Sequence, residues 1–200
     1  MLTKLIHRAI VVFTLISSLM AQGGGYALDF DGANDYVNTT YSGISGNNDR
    51  TVEAWVKTSA TGVNFITEWG VQETNQRFTV TVTSSKLRVE FAGGGLSGST
   101  NVNDGLWHHL AATHSSTSSP STKLYIDGNL EATASFTINT SSSGNVLVGK
   151  SAYWSAREFN GSIDEVRIWS VARTATQIAD NIHVLLDGDE TGLEAYYKMS

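Results

Sequence analysis

From Tyr26 onward, the sequence alternates between apolar and polar residues in many short segments that end in Gly, Asn, Asp or Ser. Residues 79–83 read Thr-Val-Thr-Val-Thr, which places threonines on one face of a strand and valines on the other. Residues 86–91 repeat this alternation after Ser84-Ser85, so the two segments predict a hairpin with one solvated face. Many short strands joined by tight turns favour a β-sandwich.

The composition agrees with a single domain that is rich in strands. The chain has 200 residues, 19 glycines and one proline, and 40% of its residues are hydrophobic. This length is enough for one sizeable core and hardly enough for two. The predicted strands cover residues 26–30, 35–39, 51–57, 63–69, 77–83, 86–92, 106–113, 122–127, 130–135, 145–149 and 161–169. Gly93-Gly94-Gly95 reads as a flexible turn between strands.

One segment near the carboxyl terminus has helical spacing instead. Thr174 can cap a helix, and Gln177 three residues later can complete a capping box. Gly188 is a suitable terminator. The apolar residues that share one face of this predicted amphipathic helix are Ile178, Ile182 and Leu185.

Both ends of the chain differ from the predicted domain, which covers residues 22–186. Residues 1–21 combine Lys4 and Arg8 with the apolar run 9–16 and small residues near Ala21, the pattern of a secretory signal peptide. The run is too short to span a bilayer comfortably, although a retained membrane anchor is the alternative. Residues 187–200 predict a closing strand, or the start of sequence that continues further downstream.

Charge and cysteine content restrict the function. Removal of residues 1–21 takes away two cations and no acid, so the formal charge changes from −6 to −8. An acidic exported protein is a poor candidate for binding nucleic acid and a reasonable one for Ca²⁺. The absence of cysteine excludes disulfides, thiol nucleophiles and cysteine-bound zinc, and favours a bacterial origin. We expect a secreted or cell-surface protein with no membrane span after cleavage.

Two adjacent histidines, His108 and His109, suggest either a catalytic or metal cluster or two positions of an ordinary strand. Consecutive strand residues point to opposite faces, so the pair cannot chelate one ion together. The turn Asp127-Gly128 suits a two-residue hairpin, because both positions tolerate positive φ. The interpretation that these histidines are structural residues of a hairpin is therefore favoured.

Five segments in order give the chain a family resemblance: residues 27–37, 51–57, 107–111, 124–128 and 161–169. Together they resemble the laminin-G-like jelly-roll domains of the concanavalin A-like lectin/glucanase superfamily, as found in large secreted bacterial proteins. The resemblance implies an all-β, two-sheet antiparallel β-sandwich with one short C-terminal amphipathic helix. It also implies a recognition or adhesion module.

The resemblance implies a structural calcium as well. An aspartate in the position of Asp164 is similar to a calcium ligand of the superfamily, with partners that would be Asp31, the carbonyl of Gly32, and Asp35. Backbone carbonyls and water could complete the coordination shell. Alternatively, Asp164 caps a turn, and the other residues are ordinary turn residues.

Glucanase-type catalysis would need two glutamates on one strand face. The nearest match has Glu68 and Glu73, but Gly70 stands where an aspartate is expected, and a spacing of five residues places the pair on opposite faces. We therefore expect no catalytic residues and no enzyme, with a glucanase-like hydrolase as the least favoured alternative.

Carbohydrate binding is the favoured function. Sugar rings stack on flat aromatic faces and are oriented by polar side chains, and Tyr153-Trp154 lies between small residues in a predicted loop. The predicted glycan-binding residues are Tyr153, Trp154, Trp69, Arg157 and Gln76. The alternative is a module of a surface assembly that binds an extracellular protein.

Overall fold

The computed structural model describes residues 10–11 and 26–199, which form two antiparallel sheets packed face to face. The predicted all-β sandwich with one short helix is confirmed. The predicted signal peptide lies outside the described residues except for positions 10 and 11, so it stays a prediction. Within the described residues, no helix is long and apolar enough to cross a membrane.

Sheet 1 has seven strands in the order β1-β3-β12-β5-β6-β7-β8. Neighbouring strands are antiparallel, and the central hairpin β6–β7 turns at Ser84 and Ser85, both at positive φ. Its strands are β1 (Ile10–Val11), β3 (Val37–Asn38), β5 (Val63–Gly70), β6 (Arg77–Thr83), β7 (Lys86–Glu90), β8 (Gly95–Asn101) and β12 (Leu147–Val148).

Sheet 2 has the order β11-β10-β9-β4-β13-β14, and β2 also pairs with β13. The long strand β13 contacts β4 on one side, while its first half pairs with β2 and its second half with β14 on the other. The strands are β2 (Leu28–Asp31), β4 (Arg50–Lys57), β9 (Trp107–His114), β10 (Thr122–Ile126), β11 (Asn129–Ala134), β13 (Asn160–Trp169) and β14 (Leu193–Tyr197).

The core lies between the sheets, where the inward residues of each strand meet. On β6, Val80 and Val82 point inward as the alternation predicts, and Val52, Ala54 and Val56 do the same from β4. The edges of the two sheets are joined by a single carboxylate. Glu131 of β11 accepts hydrogen bonds from the backbone N–H groups and the hydroxyls of Ser99 and Thr100 on β8.

Among residues 26–199, strand β8 lies where the sequence predicts no strand. Its sequence, Gly-Leu-Ser-Gly-Ser-Thr-Asn, has the composition of a loop, and the sequence predicts a flexible turn that includes Gly95. It forms a strand because β7 supplies a partner for its backbone and Glu131 holds its outer side. Tertiary pairing here overrides a weak local preference for strand.

The helix is confirmed but shorter than its apolar spacing predicts. Helix α1 (Ala175–Asn181) begins with the expected capping box of Thr174 and Gln177, and Ile178 is fully buried. It ends at Asn181 with Ile182 as its C-cap, and Leu185 is 48% exposed rather than part of a buried face.

Side chains on the outer face of sheet 2 donate to carbonyl oxygens at the end of the helix and just beyond it. The guanidinium of Arg167 donates to the carbonyls of Asn181 and Val184, and Nε1 of Trp55 donates to that of Ile182. Arg173 donates to the carbonyl of Gln177. The bonds to Asn181 and Ile182 satisfy carbonyls that a helix end leaves without intrahelical partners, and the two cations favour the negative end of the helix dipole.

Candidate functional site

The loop of residues 150–158, which follows β12, lies across the outer face of sheet 1. Its first half is tied to β5 by hydrogen bonds to Glu68. The Ser151 hydroxyl lies 3.0 Å from Oε1, and the backbone N–H of Ala152 donates to the same oxygen at 2.7 Å. Ser151 also accepts from the N–H groups of Tyr153 and Trp154, which turns the chain sharply at this point. The loop therefore has a defined path over the sheet.

The Trp154 ring lies on that face, against an aromatic ring and a cation. It stacks on Phe65 with a centroid distance of 6.1 Å and an interplanar angle of 27°. The guanidinium carbon of Arg77 lies 4.3 Å from the indole centroid, and that of Arg157 lies 5.2 Å from it. Trp154 is therefore half-buried and held by contacts that do not depend on a ligand.

Beneath the loop, a charged network runs across three strands. Nη2 of Arg77 lies 2.7 Å from Oε1 of Glu90, and its Nη1 lies 3.7 Å from Oε2 of Glu68 and also donates to Gln72. Arg88 contacts the other oxygen of Glu90 at 3.1 Å. Burial raises the pKa of the Glu68 carboxyl, against the opposing effects of its hydrogen bonds and of Arg77.

This cover corrects one expectation from the sequence. The β6–β7 hairpin was predicted to have a solvated outer face, but Thr79 and Thr81 on that face are buried. Thr83 at the end of β6 and the outward β7 side chains Lys86, Arg88 and Glu90 stay half-exposed, because the 150–158 loop lies over the β5–β6 side of the sheet. The pattern of a strand cannot show that a loop far along the chain will cover it.

Tyr153 is the exposed aromatic ring of this region. It is 42% exposed, and its hydroxyl donates to the carbonyl oxygen of Gly70 at 3.0 Å. The ring meets Trp154 edge to face, with centroids 6.3 Å apart. A flat ring that is fixed at its hydroxyl end and open on its surface suits stacking against a sugar. We call Tyr153, Trp154 and Arg157 the loop surface.

The carbonyl of Gly70 can occupy its position because the residue is glycine. Gly70 has φ +89°, and a Cβ added there would lie 2.2 Å from the carbonyl oxygen of Gln76. A side chain is excluded by both the backbone conformation and the space. The anchor for Tyr153 thus depends on a position that only glycine fits.

The other two predicted glycan ligands have different positions. Trp69 is 2% exposed in the core, stacks on Phe78 and donates from Nε1 to the carbonyl of Ile44, so no sugar could reach its ring. Gln76 lies half-buried in the β5–β6 connection, where its backbone bonds with Val71 and Ser141. Trp69 is therefore not part of the loop surface, and Gln76 lies at its margin.

Sequence reasoning did not identify the residues that support this surface. Arg77 and Glu90 lie on the outward face of neighbouring strands, so their register was predictable, but the loop above them was not. Lys150 begins the loop, and its Nζ lies 4.1 Å from the ring centroid of Tyr36. A lone lysine and a lone tyrosine more than a hundred residues apart give no sequence signal of this contact.

The four predicted calcium ligands are not brought together. Asp31 pairs with Asn160 on β13, and Asp164 lies four residues further along that strand, a separation of about 13 Å. Asp31 accepts from the N–H groups of Ala33 and Asn34, while Asp35 accepts from that of Asp31. Gly32 sits at φ +76° in the same turn. Residues 26–199 contain no group of three or more His, Asp or Glu side chains that could hold a metal.

Asp164 is instead held by backbone donors near the end of sheet 2. Its Oδ1 accepts from the N–H groups of Glu165 at 2.8 Å and Met199 at 3.2 Å. Burial raises the pKa of Asp164 to about 6, and neighbouring Glu165 adds to this rise. These four residues do not fit one calcium site, and calcium binding stays a prediction from the resemblance.

The two histidines point to opposite faces of β9, as strand geometry predicts. His109 lies opposite Trp55 on the outer face, where its Nε2 is 3.2 Å from Oε2 of Glu53. His108 has Asp127 at 2.8 Å from Nδ1 and Asp104 at 3.2 Å from Nε2. Because the two aspartates contact opposite nitrogens of one ring, this cluster cannot chelate a single ion. The predicted separation of the two histidines is confirmed, and a structural role for both stays a prediction.

The two candidate catalytic glutamates also separate. Glu68 is buried, and its carboxylate is occupied by Ser151, Ala152 and the neighbouring arginine. Glu73 lies exposed in the β5–β6 connection beyond Gly70. A retaining glycosidase needs both carboxyl groups about 5 Å apart beside the sugar, and these two do not share one open face.

Comparison with known proteins places the chain by fold. A laminin G family model described as "Concanavalin A-like lectin/glucanases superfamily" matches residues 31–179. No curated protein matches the sequence. Among solved structures, domain 4 of AbnA, a GH43 extracellular arabinanase from Geobacillus stearothermophilus in complex with arabinotriose, is similar at 22% identity and a TM-score of 0.65. The match covers 84% of this chain and 81% of that one.

Two further structures are similar over shorter parts of their own chains. A candidate carbohydrate-binding protein from Bacteroides ovatus is 23% identical with a TM-score of 0.68, covering 82% of this chain and 48% of its own. Domains LG4-5 of the mouse laminin α1 chain are 14% identical with a TM-score of 0.54, covering 83% of this chain and 46% of theirs. The chain thus spans about half the length of these two, and the likeness shows a shared fold.

Proposed function

This chain belongs to the Concanavalin A-like lectin/glucanases superfamily, and from that premise we propose that it is an exported, non-catalytic module that binds carbohydrate at the loop surface. The observation that carries the proposal is the Tyr153 ring, which is open to solvent while its hydroxyl is fixed to the Gly70 carbonyl. An aromatic ring that is rigid before binding loses little conformational freedom when a sugar stacks on it.

The surroundings of Tyr153 support the same role. Trp154 is held by Phe65 and Arg77, so a ligand meets an ordered platform rather than a mobile loop. Arg157 supplies hydrogen-bond donors beside the rings, and Gln76 lies at the margin of the surface. Aromatic surface with a few polar groups is the usual composition of a site that orients a small ligand.

A glycan array probed with the purified protein tests this function. We expect retention of a restricted set of glycans by the native protein and loss of that retention in Tyr153→Ala. Tyr26→Ala is the matched control, because Tyr26 is 59% exposed and lies outside the loop surface. Retention should be unchanged in this control.

Two results would overturn parts of the proposal. An unchanged profile for Tyr153→Ala would remove the loop surface as the binding site. A native protein that retains no glycan would remove carbohydrate binding and favour the second function, adhesion to an extracellular protein. Parallel arrays with added calcium and with a chelator test the predicted calcium separately, since only a calcium-supported lectin should lose retention with the chelator.

A further inference from the structure

Arg157 is an arginine without an acidic partner. Among residues 26–199, the guanidinium groups of Arg77 and Arg88 pair with Glu90, that of Arg167 with Glu165, and that of Arg173 with Glu53. The guanidinium carbon of Arg157 instead lies over the Trp154 ring, 5.2 Å from its centroid. Arg157 is exposed, so its N–H groups face solvent beside the aromatic rings.

A second cation lies at the other end of the same loop. Nζ of Lys150 lies over the Tyr36 ring at 4.1 Å, and no carboxylate of the described residues comes within ion-pair distance of it. Cation–π contacts hold a charge in place without neutralising it. The 150–158 loop therefore has a positioned positive charge at its first residue, Lys150, and another at its second-to-last residue, Arg157, and Tyr153 lies between them in the sequence.

None of the acidic side chains near the loop forms an ion pair with Arg157 or Lys150. Both oxygens of Glu90 are taken by arginines, and Glu68 is buried beneath the loop. Glu158, the nearest acid in sequence, uses Oε2 to accept from the backbone N–H of Arg157 at 2.9 Å rather than from its guanidinium. The whole chain carries a formal charge of −6, so attraction of an anion must come from these local cations.

We propose that the loop surface selects glycans that carry an anionic group, a carboxylate or a sulfate, and this inference rests on the proposed carbohydrate-binding function. The sugar ring stacks on Tyr153, and the anionic group accepts hydrogen bonds from the guanidinium of Arg157. The planar guanidinium can donate two parallel hydrogen bonds to a carboxylate or a sulfate. Contact with the Trp154 ring restricts this guanidinium in advance, which lowers the entropic cost of forming both bonds.

Calorimetry tests the inference with three ligands of similar length. These are oligogalacturonides, their carboxyl-reduced neutral counterparts and a sulfated oligosaccharide. We expect the native protein to bind at least one anionic ligand at least about 10-fold more tightly than the neutral one, the range of a charge-assisted hydrogen bond. The preference should shrink as salt is raised. Comparison of the carboxylated and sulfated ligands identifies which anion is preferred.

Arg157→Gln should remove most of this preference, measured as the ratio of the anionic to the neutral affinity, because a loss of binding common to both ligands cancels in that ratio. Lys123→Gln is the matched control, because it removes the same charge from β10 on the other sheet. Equal affinity of the native protein for anionic and neutral glycans would overturn the inference but leave the proposed function standing. Binding of none of these ligands by a protein that retains other glycans on the array would overturn the inference alone, whereas an empty array would overturn both. Loss of the preference in Lys123→Gln would assign it to overall charge rather than to Arg157.

Discussion

Nε2 of His109 lies 3.2 Å from Oε2 of Glu53, and both side chains are closed off from solvent between sheet 2 and helix α1. Nη1 of Arg173, just before the helix, lies 2.7 Å from the other oxygen of Glu53. Burial opposes ionisation of Glu53, but its contacts with His109 and Arg173 outweigh this effect and lower the pKa of the carboxyl. His109 thus contributes to the buried charged contacts that hold the segment before the helix on the sheet.

Replacement of the central carboxylate should destabilise the protein strongly. We expect Glu53→Gln to lower the free energy of unfolding at pH 7 by about 3 to 5 kcal/mol, because Arg173 is left buried without its counter-charge. Urea denaturation gives this value. The control Asp180→Asn removes an exposed charge from the same helix and should change stability by less than about 0.5 kcal/mol. Similar costs for both variants would contradict a structural role for the ion pair.

His114 should make stability depend on pH in mildly acidic solution. Burial, with a contribution from Arg50, lowers the pKa of His114 to about 4 from its ordinary 6.5. As the pH falls from 6.5 towards 4, the unfolded chain takes up a proton that the folded protein refuses. Stability is therefore full above pH 6.5 and falls within this window, by up to about 3 kcal/mol.

The variant His114→Gln tests this assignment by urea denaturation across pH 4 to 7. It should flatten the decline in that window, although its stability at pH 7 falls because contacts with Thr122 and Asn47 are disturbed. His183→Gln is the control, since His183 is exposed and should leave the slope unchanged. An equally steep decline in His114→Gln would assign the pH dependence to other groups.

Asp164 should destabilise the folded protein at neutral pH. Its folded pKa of about 6 lies above the ordinary 3.8, so the folded protein binds the proton first, and stability rises as the pH falls from 6 to 3.8. Asp164→Asn keeps an oxygen that can accept from Glu165 and Met199 and removes the charge. We expect a gain of about 1 to 3 kcal/mol at pH 7 that disappears near pH 4.

Thermal unfolding of Asp164→Asn beside Asp189→Asn, an exposed control, measures this gain. The same scans with calcium and with a chelator address the predicted metal. If calcium raises the melting temperature of the native protein but not that of Asp164→Asn, Asp164 is a calcium ligand. In the presence of calcium, the variant should then be less stable than the native protein rather than more stable.

Substitution of Gly70, whose carbonyl accepts the hydrogen bond from Tyr153, can be compared with substitution of Gly62. Both have φ near +89°, but a Cβ at Gly62 meets nothing within 4 Å, whereas one at Gly70 meets the Gln76 carbonyl oxygen at 2.2 Å. We expect Gly62→Ala to cost about 1 to 2 kcal/mol from backbone strain alone, and Gly70→Ala to cost clearly more. Chemical denaturation compares them. Equal losses of stability in the two variants would show that the backbone shifts without cost to relieve the contact between the Cβ at position 70 and the Gln76 carbonyl oxygen.

The alternation of residues along the chain was sufficient to predict most strands and their inward faces. Val80 and Val82 point into the core, and the turns at Ser84-Ser85 and Asp127-Gly128 have the positive φ that such hairpins need. Local physics explains this success, because side-chain alternation and turn conformation depend on neighbouring residues. Strand β8 was missed because its Gly- and Ser-rich sequence forms a strand only beside β7 and Glu131.

The candidate site was only partly predictable, because it depends on contacts between residues that are distant in the sequence. The sequence identified Tyr153, Trp154 and Arg157 as loop residues of a suitable type, but it also suggested Trp69, which the hydrogen bond to Ile44 holds in the core. Burial of a tryptophan depends on what covers it. That information belongs to residues distant along the chain.

The sequence by itself thus determined the class of fold, the hairpins, the capping box and the separation of His108 from His109, since each follows from backbone geometry over a few residues. The tertiary structure was needed to show that Glu68 and Arg77 are covered, that Asp31 and Asp164 lie apart, and that the guanidinium of Arg157 pairs with no carboxylate of the described residues. The first two relationships join residues that are tens of positions or more apart, and packing of the two sheets and their loops alone sets the distances between them.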